Sequence, residues 1–178
     1  MAHGSESRIR AAVEANPRKM TLQLAHELGV TEVEVIRAFP SHRAVELDIS
    51  RWEELLRCFE DLGVLRVIVS NGCATAELEG QFGGFSKTGP FFNVQTPSLD
   101  MHIRWRELDA VFAVEKPGHM DGVSTFSFQF YDKAGAAGFK VFLNFGEPVS
   151  PEKAIAFAKL GERFRKDSKE SGIGRPCP

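Results

Sequence analysis

The sequence predicts an α+β fold: N-terminal helices, a large, mostly antiparallel β-sheet, and a C-terminal helix packed on that sheet. Three observations predict it. Apolar residues recur at helical spacing as far as Gly63 and then switch to strict alternation. The alternating runs are joined by turns too short for crossover helices, so neighbouring strands must run antiparallel. Helical spacing returns at Ser150, and helices, then a meander, then a helix is an α+β order.

Each element has its own local signals. "ESRIRAAVEANP" is a helix halted near Pro17, because proline cannot continue a helix interior. "MTLQLAHELG" carries Leu22, Ala25 and Leu28 at helical spacing and stops at Gly29. "TEVEVIRAFP" starts from Thr31 as N-cap and ends before Pro40. "SRWEELLRCFEDLG" opens at Ser50 with Glu53 three residues on, a capping-box pattern, and buries Trp52, Leu55, Leu56 and Phe59. The strand candidates are "VLRVIVS", "ATAELEGQF", "PFFNVQT", "LDMHIRW", "LDAVFAVEK", "VSTFSFQFY" and "GFKVFLNF". In "VSTFSFQF", Phe126, Phe128 and Phe130 point one way and Thr125, Ser127 and Gln129 the other. The last helix, from Ser150, is expected to turn Ile155 and Ala158 toward the core. The organisation expected is a helical segment over 1–49, an α+β domain over 50–168, and a flexible tail over 169–178.

Composition narrows the function classes. A net charge of −2 provides no global positive field for nucleic acid or an anionic membrane. No apolar run approaches the roughly 20 residues that span a bilayer, and the N-terminus lacks a signal peptide's apolar stretch. The three cysteines, Cys58, Cys73 and Cys177, form no CxxC pair and suit a reducing compartment. A cytoplasmic protein is the expectation. Fifteen phenylalanines against one tyrosine supply apolar area without polar handles; most must be core, and some could wall a site for a flat apolar ligand.

Motifs exclude more than they include. "LQLAHELGVTEVEVIRAF" has the helix-turn-helix outline, but its second helix offers Glu32 and Glu34 with one cation, Arg37, and two carboxylates would repel phosphates. The chain has no GxSxG elbow, no HExxH and no GxxxxGK[ST] phosphate loop. What remains is "LDMHIRW". Strand alternation places Leu99, Met101, Ile103 and Trp105 on one face, and Asp100, His102 and Arg104 on the other. Pattern alone allows a surface histidine or a ligand. As a ligand, a single imidazole suffices for haem, because the porphyrin supplies four nitrogens. Arg104, Arg106 and Lys87 could pair with its propionates, His119 could be a second ligand, and Asp100 could orient the His102 ring. His26 and His42 read as structural.

The order "GPFFNV", "MHI", then "HMDGVSTFSFQFYDKAGAAGFKVFL", after "TLQLAHELGVTEVEVIRAFP", resembles the ChuX/HutX family of intracellular haem-utilisation carriers over roughly residues 20 to 165. The resemblance implies a fold equivalent to half of the larger ChuS/HemS-type proteins, haem (haem b) binding, homodimerisation, and transient contact with a haem importer or haem-processing enzyme. It places His102 on the family's haem-linked strand histidine. A second family histidine falls at Ser70 in this chain, and another is replaced near Lys87 and Thr88. The implied function is a reversible haem carrier or store, with a haem-modifying enzyme as the alternative and a transcriptional regulator disfavoured by the acidic helix.

Overall fold

The computed structural model describes residues 2–120 and 122–166, and the expected tail over 169–178 lies outside the described residues. The N-terminal helices are α1 (Ala2–Ala15), α2 (Thr21–Leu28) and α3 (Glu32–Arg37). Local chemistry sets their ends. Gly29 closes α2 in the left-handed region at φ 65°, and its N–H donates to the carbonyls of Ala25 and His26. Thr31 and Glu34 form a reciprocal capping box on α3.

Among the described residues nine strands follow these helices: β1 (Ala44–Leu47), β2 (Val64–Ser70), β3 (Thr75–Gln81), β4 (Ser86–Thr88), β5 (Phe91–Gln95), β6 (Asp100–Ile103), β7 (Leu108–Pro117), β8 (Ser124–Asp132) and β9 (Ala137–Phe142). Every ladder among the described residues is antiparallel, as the short connections require for consecutive strands. The strands divide into two sheets. One has six strands in the order β1-β7-β8-β9-β2-β3, the other three in the order β4-β5-β6.

The middle of the six-stranded sheet is buried on both faces by alternate residues of β7 and β8, whereas β3 at its edge is exposed at every residue but Gly80. Val111, Ala113, Phe128, Phe130, Phe139 and Val141 belong to the main core, with Phe92, Val94 and Ile103 of the small sheet and Leu99 beside it. That core also takes Trp52, Leu55, Leu56 and Phe59 from α4 (Trp52–Cys58) and its exit, and Leu160 and Phe164 from α5 (Pro151–Arg163) and its end. On the opposite face Ala110, Phe112, Val114 and Tyr131 meet Val33 and Ile36 of α3. The layers therefore run helices α1–α3, large sheet, then small sheet with α4 and α5. Ser127 and Gln129, on the non-phenylalanine face of β8, are buried at 1% and 3% exposure rather than solvated, because the helical layer covers them.

Several expectations are corrected. The Ser50–Glu53 capping box does not form. Asp48 accepts the Ser50 N–H at 3.0 Å, a 3₁₀ turn spans Ile49–Arg51, and Glu53 is drawn away by Arg57 and Lys87. Ile155 and Ala158 face solvent, Ile155 at 56% exposure. Two aromatic anchors set the face of α5 instead: Phe157 packs on Phe126 and Phe128 with centroids 5.2 Å apart, and Phe164 is fully buried. Strands β1 and β4 had no expectation; each is four residues or fewer, and β4 is polar and exposed throughout. Leu99 and Trp105 flank β6 rather than belong to it, Trp105 opening a 3₁₀ turn over Trp105–Glu107.

Candidate functional site

His102 sits on β6, an edge strand of the small sheet, directly opposite Asn93 of β5. The inner face of this sheet is anchored by Phe92 and Ile103, which pair in register and are 0% and 5% exposed. Alternation then obliges Asn93 and His102 to face the other way. His102 Nδ1 lies 2.8 Å from Asn93 Oδ1, while Asn93 Nδ2 donates to Ser86 Oγ at 3.0 Å and Thr88 Oγ1 at 3.2 Å. Asn93 is 4% exposed, whereas the His102 side chain is 52% exposed. A buried, fully occupied amide thus supports an open imidazole.

The neighbours of His102 are aromatic and charged. Phe91 meets the imidazole edge-on, centroids 6.2 Å apart, and the Arg104 guanidinium lies 5.7 Å from the Phe91 ring centre. Asp100 Oδ1 stands 3.5 Å from His102 Nε2. That distance is long for a hydrogen bond. The ring's close partner is therefore Asn93 through Nδ1, not Asp100, which approaches the other nitrogen. Arg106 stacks over Trp105 at 4.9 Å, and Trp105 in turn stacks on Trp52 at 5.5 Å. Arg104 and Arg106 are exposed and make no ion pair among the described residues.

Lys87 and His119 are not brought to His102. Lys87 pairs in register with Phe92, so its side chain leaves the face opposite to His102, reaching Glu53 and the rings of Trp52 and Trp105. The Lys87 ammonium, with Arg57 behind it, holds the Glu53 carboxyl below the usual carboxylate range. His119 belongs to the turn between β7 and β8 of the large sheet, where Arg18 of the helical layer donates to the carbonyls of Gly118, His119 and Met120. Ser70, at the end of β2, accepts from Thr75 Oγ1 at 3.1 Å. His42 lines a separate groove with Val13, Phe39 and Pro40 on the helical layer.

Sequence reasoning missed Asn93 and Phe91 as neighbours of His102. A signal existed: "FFNVQ" alternates, and its asparagine falls opposite the histidine once the turn between the strands fixes the register. No group of three or more His, Cys, Asp or Glu side chains could hold a metal ion among the described residues. Haem needs no such group, because the porphyrin brings four nitrogens of its own. Exposed imidazole, adjacent ring edge and two free guanidinium groups fit haem: one axial nitrogen, an apolar contact, and cations for acidic substituents.

Fold and site together define a class: a two-sheet α+β protein that presents one oriented imidazole on an open face. The family is shown directly, because the model of the haemin-degrading HemS/ChuX domain matches residues 29–164, and the chain belongs to that family. It is 21% identical over 165 residues to the intracellular haem transport protein HutX of Vibrio cholerae, covering 90% of this chain and 84% of HutX. Among solved structures, the haem-binding protein ChuX superposes with a TM-score of 0.77 at 20% identity, over 87% of this chain and 97% of ChuX. The haem-degrading enzyme ChuS of Escherichia coli O157:H7 superposes with a TM-score of 0.74 at 24% identity, over 98% of this chain but 51% of ChuS. No helix among the described residues is long and apolar enough to cross a membrane.

Proposed function

We propose that this protein is an intracellular haem carrier that takes haem reversibly through His102, and that it works as a homodimer. Membership of the HemS/ChuX family and similarity to HutX and ChuX support haem as the cargo. The observation that carries the site is the exposed His102 ring, tied to Asn93 through Nδ1 with the Phe91 ring at its edge and Arg104 over that ring. In this reading His102 Nε2 would hold the iron, Phe91 would supply an apolar contact, and Arg104 and Arg106 would pair with the propionates. Lys87 can join them only by giving up Glu53. His119 sits on the other sheet and acts as a ligand only after a rearrangement of its turn or from a second copy. A single ligand suits a protein that must hand its cargo on, since each 1.4 kcal/mol of affinity slows release about tenfold.

Hemin titration followed at the Soret band tests the proposal. Wild type is expected to saturate at one haem per chain, and His102→Ala to bind at least about tenfold more weakly with a shifted band. Absence of saturable binding by wild type defeats the haem reading, and an alanine variant with wild-type affinity and spectrum removes His102. The likeness to ChuS over one half of its length favours haem degradation as the second reading. Adding a reductant under air separates the two: a stable Soret band speaks for the carrier, its loss with iron release for the enzyme.

A further inference from the structure

Asn93 is buried, at 4% exposure, on the sheet face that carries the exposed His102. Its three polar contacts also form a closed arithmetic. The amide nitrogen has two hydrogens, and two hydroxyl oxygens, Ser86 Oγ and Thr88 Oγ1, stand 3.0 and 3.2 Å away to accept them. The amide oxygen then meets His102 Nδ1 at 2.8 Å. Rotating the amide by half a turn would send one N–H to Nδ1 and leave the other without an acceptor in a side chain that is 4% exposed. A buried, unpaired N–H costs about 1–3 kcal/mol, so the orientation that satisfies both hydrogens prevails.

We infer that Asn93 is a positioning residue that fixes neutral His102 as the Nδ1–H tautomer, with Ser86 and Thr88 locking the amide that does so. The Nδ1 proton is donated to Asn93 Oδ1, and the lone pair is left on Nε2, the nitrogen on the open side of the ring. The rival influence is Asp100, whose carboxylate would favour a proton on Nε2. It stands 3.5 Å away on a side chain that is 64% exposed, against 2.8 Å for the buried amide. The nearer, more rigid partner prevails. A ligating imidazole needs its lone pair on the metal-facing nitrogen and its other N–H held, so the ring is set for ligation before any cargo arrives. The inference rests on the proposed role of His102 for its purpose, but not for its content, which concerns the free protein.

The experiment is a long-range ¹H–¹⁵N correlation spectrum of the ring nitrogens in the haem-free protein, at a pH where His102 is neutral. Wild type is expected to show the Nδ1–H pattern, contrary to the Nε2–H form that free histidine prefers in water. Asn93→Ala is expected to revert toward Nε2–H and to weaken hemin binding about tenfold. Ser86 and Thr88 are exposed, so the Ser86→Ala/Thr88→Val pair frees the amide to turn without disturbing the core, and is expected to give a mixture of tautomers. An Nε2–H ring in wild type overturns the inference, and so does a tautomer unmoved by both the Asn93→Ala and the paired variants. The wild-type spectrum needs no variant to fold. An Nδ1–H ring in a protein that takes up no hemin would leave this inference standing and defeat the haem reading.

Discussion

Two polar clusters lie on opposite sides of the fold and differ in what they leave unsatisfied. Between the helical layer and the large sheet, the buried Glu32 carboxylate accepts from Thr21 and Lys140, Tyr131 donates to Gln129 Oε1 at 2.7 Å, and Gln129 Nε2 donates to Ser127 at 3.0 Å. In the small sheet, Ser86, Thr88, Asn93 and His102 form a comparable chain that ends on an exposed ring nitrogen. The first cluster closes on itself and joins two layers, while the second is anchored at one end and open at the other. Burial turns a polar group into a structural obligation, and exposure leaves the same chemistry free to act on something else.

The comparison breaks most decisively at Lys140. Replacing it with methionine leaves Glu32, whose side chain is 3% exposed, without its cation. The expected loss is about 3 kcal/mol of unfolding free energy, read from urea denaturation. The Lys140→Met/Glu32→Leu pair should recover most of it. A single variant as stable as wild type would mean that the cluster is not an obligation at all.

At the open cluster the corresponding break is Gly84, which holds φ +56 where the chain turns toward β4. A Cβ there would fall 2.0 Å from the Gln95 carbonyl oxygen of β5. Gly84→Ala should therefore cost about 1–3 kcal/mol and loosen β4, which carries Ser86 and Thr88. Faster hydrogen exchange confined to the small sheet would show it, and uniform exchange across both sheets would refute it. A smaller effect is expected at Thr31, the cap that sets α3 and so delivers Glu32 to the buried cluster. Thr31→Ala should lose about 1 kcal/mol in the same denaturation assay without altering hemin uptake.

The smallest effect is a slope in pH. Burial, with Lys140 nearby, lowers the Lys116 pKa from 10.5 to about 8. The unfolded chain thus binds the extra proton between those values, and stability attributable to Lys116 rises with pH across that window. Wild type should gain on Lys116→Met between pH 8 and 10, whereas a constant difference between the two would contradict this. Tyr131 works in the opposite sense above pH 10, because burial pushes its hydroxyl well above the ordinary value, so the comparison belongs below that point.

Much of this was legible in the sequence, for definable reasons. The N-cap at Thr31, the stop at Gly29 and the alternation in β8 depend on neighbours a few residues away, and each appears as expected. The division into two sheets depends on which strands meet across tens of residues, and no local signal carries that. The face of α5 was misjudged because Ile155 looks as apolar as Phe157 in a helical pattern; only the aromatic partners Phe126 and Phe128 decide between them. His102 was legible as an outward-facing strand histidine, but its partner was not. Asp100 is adjacent in phase on the same strand, whereas Asn93 arrives from another strand with a shorter contact. Lys87 looked available because its ion pair with Glu53 spans two elements.

The stacked pair Trp52 and Trp105 has a practical consequence. These are the chain's two tryptophans, 5.5 Å apart, and Trp105 follows His102 by three residues. Tryptophan emission from this protein, excited beyond the absorption of Tyr131, therefore originates at one spot, beside the small sheet. A chromophore that absorbs near 400 nm, arriving at that spot, would drain this emission by energy transfer. The protein carries its own optical gauge, readable without a label.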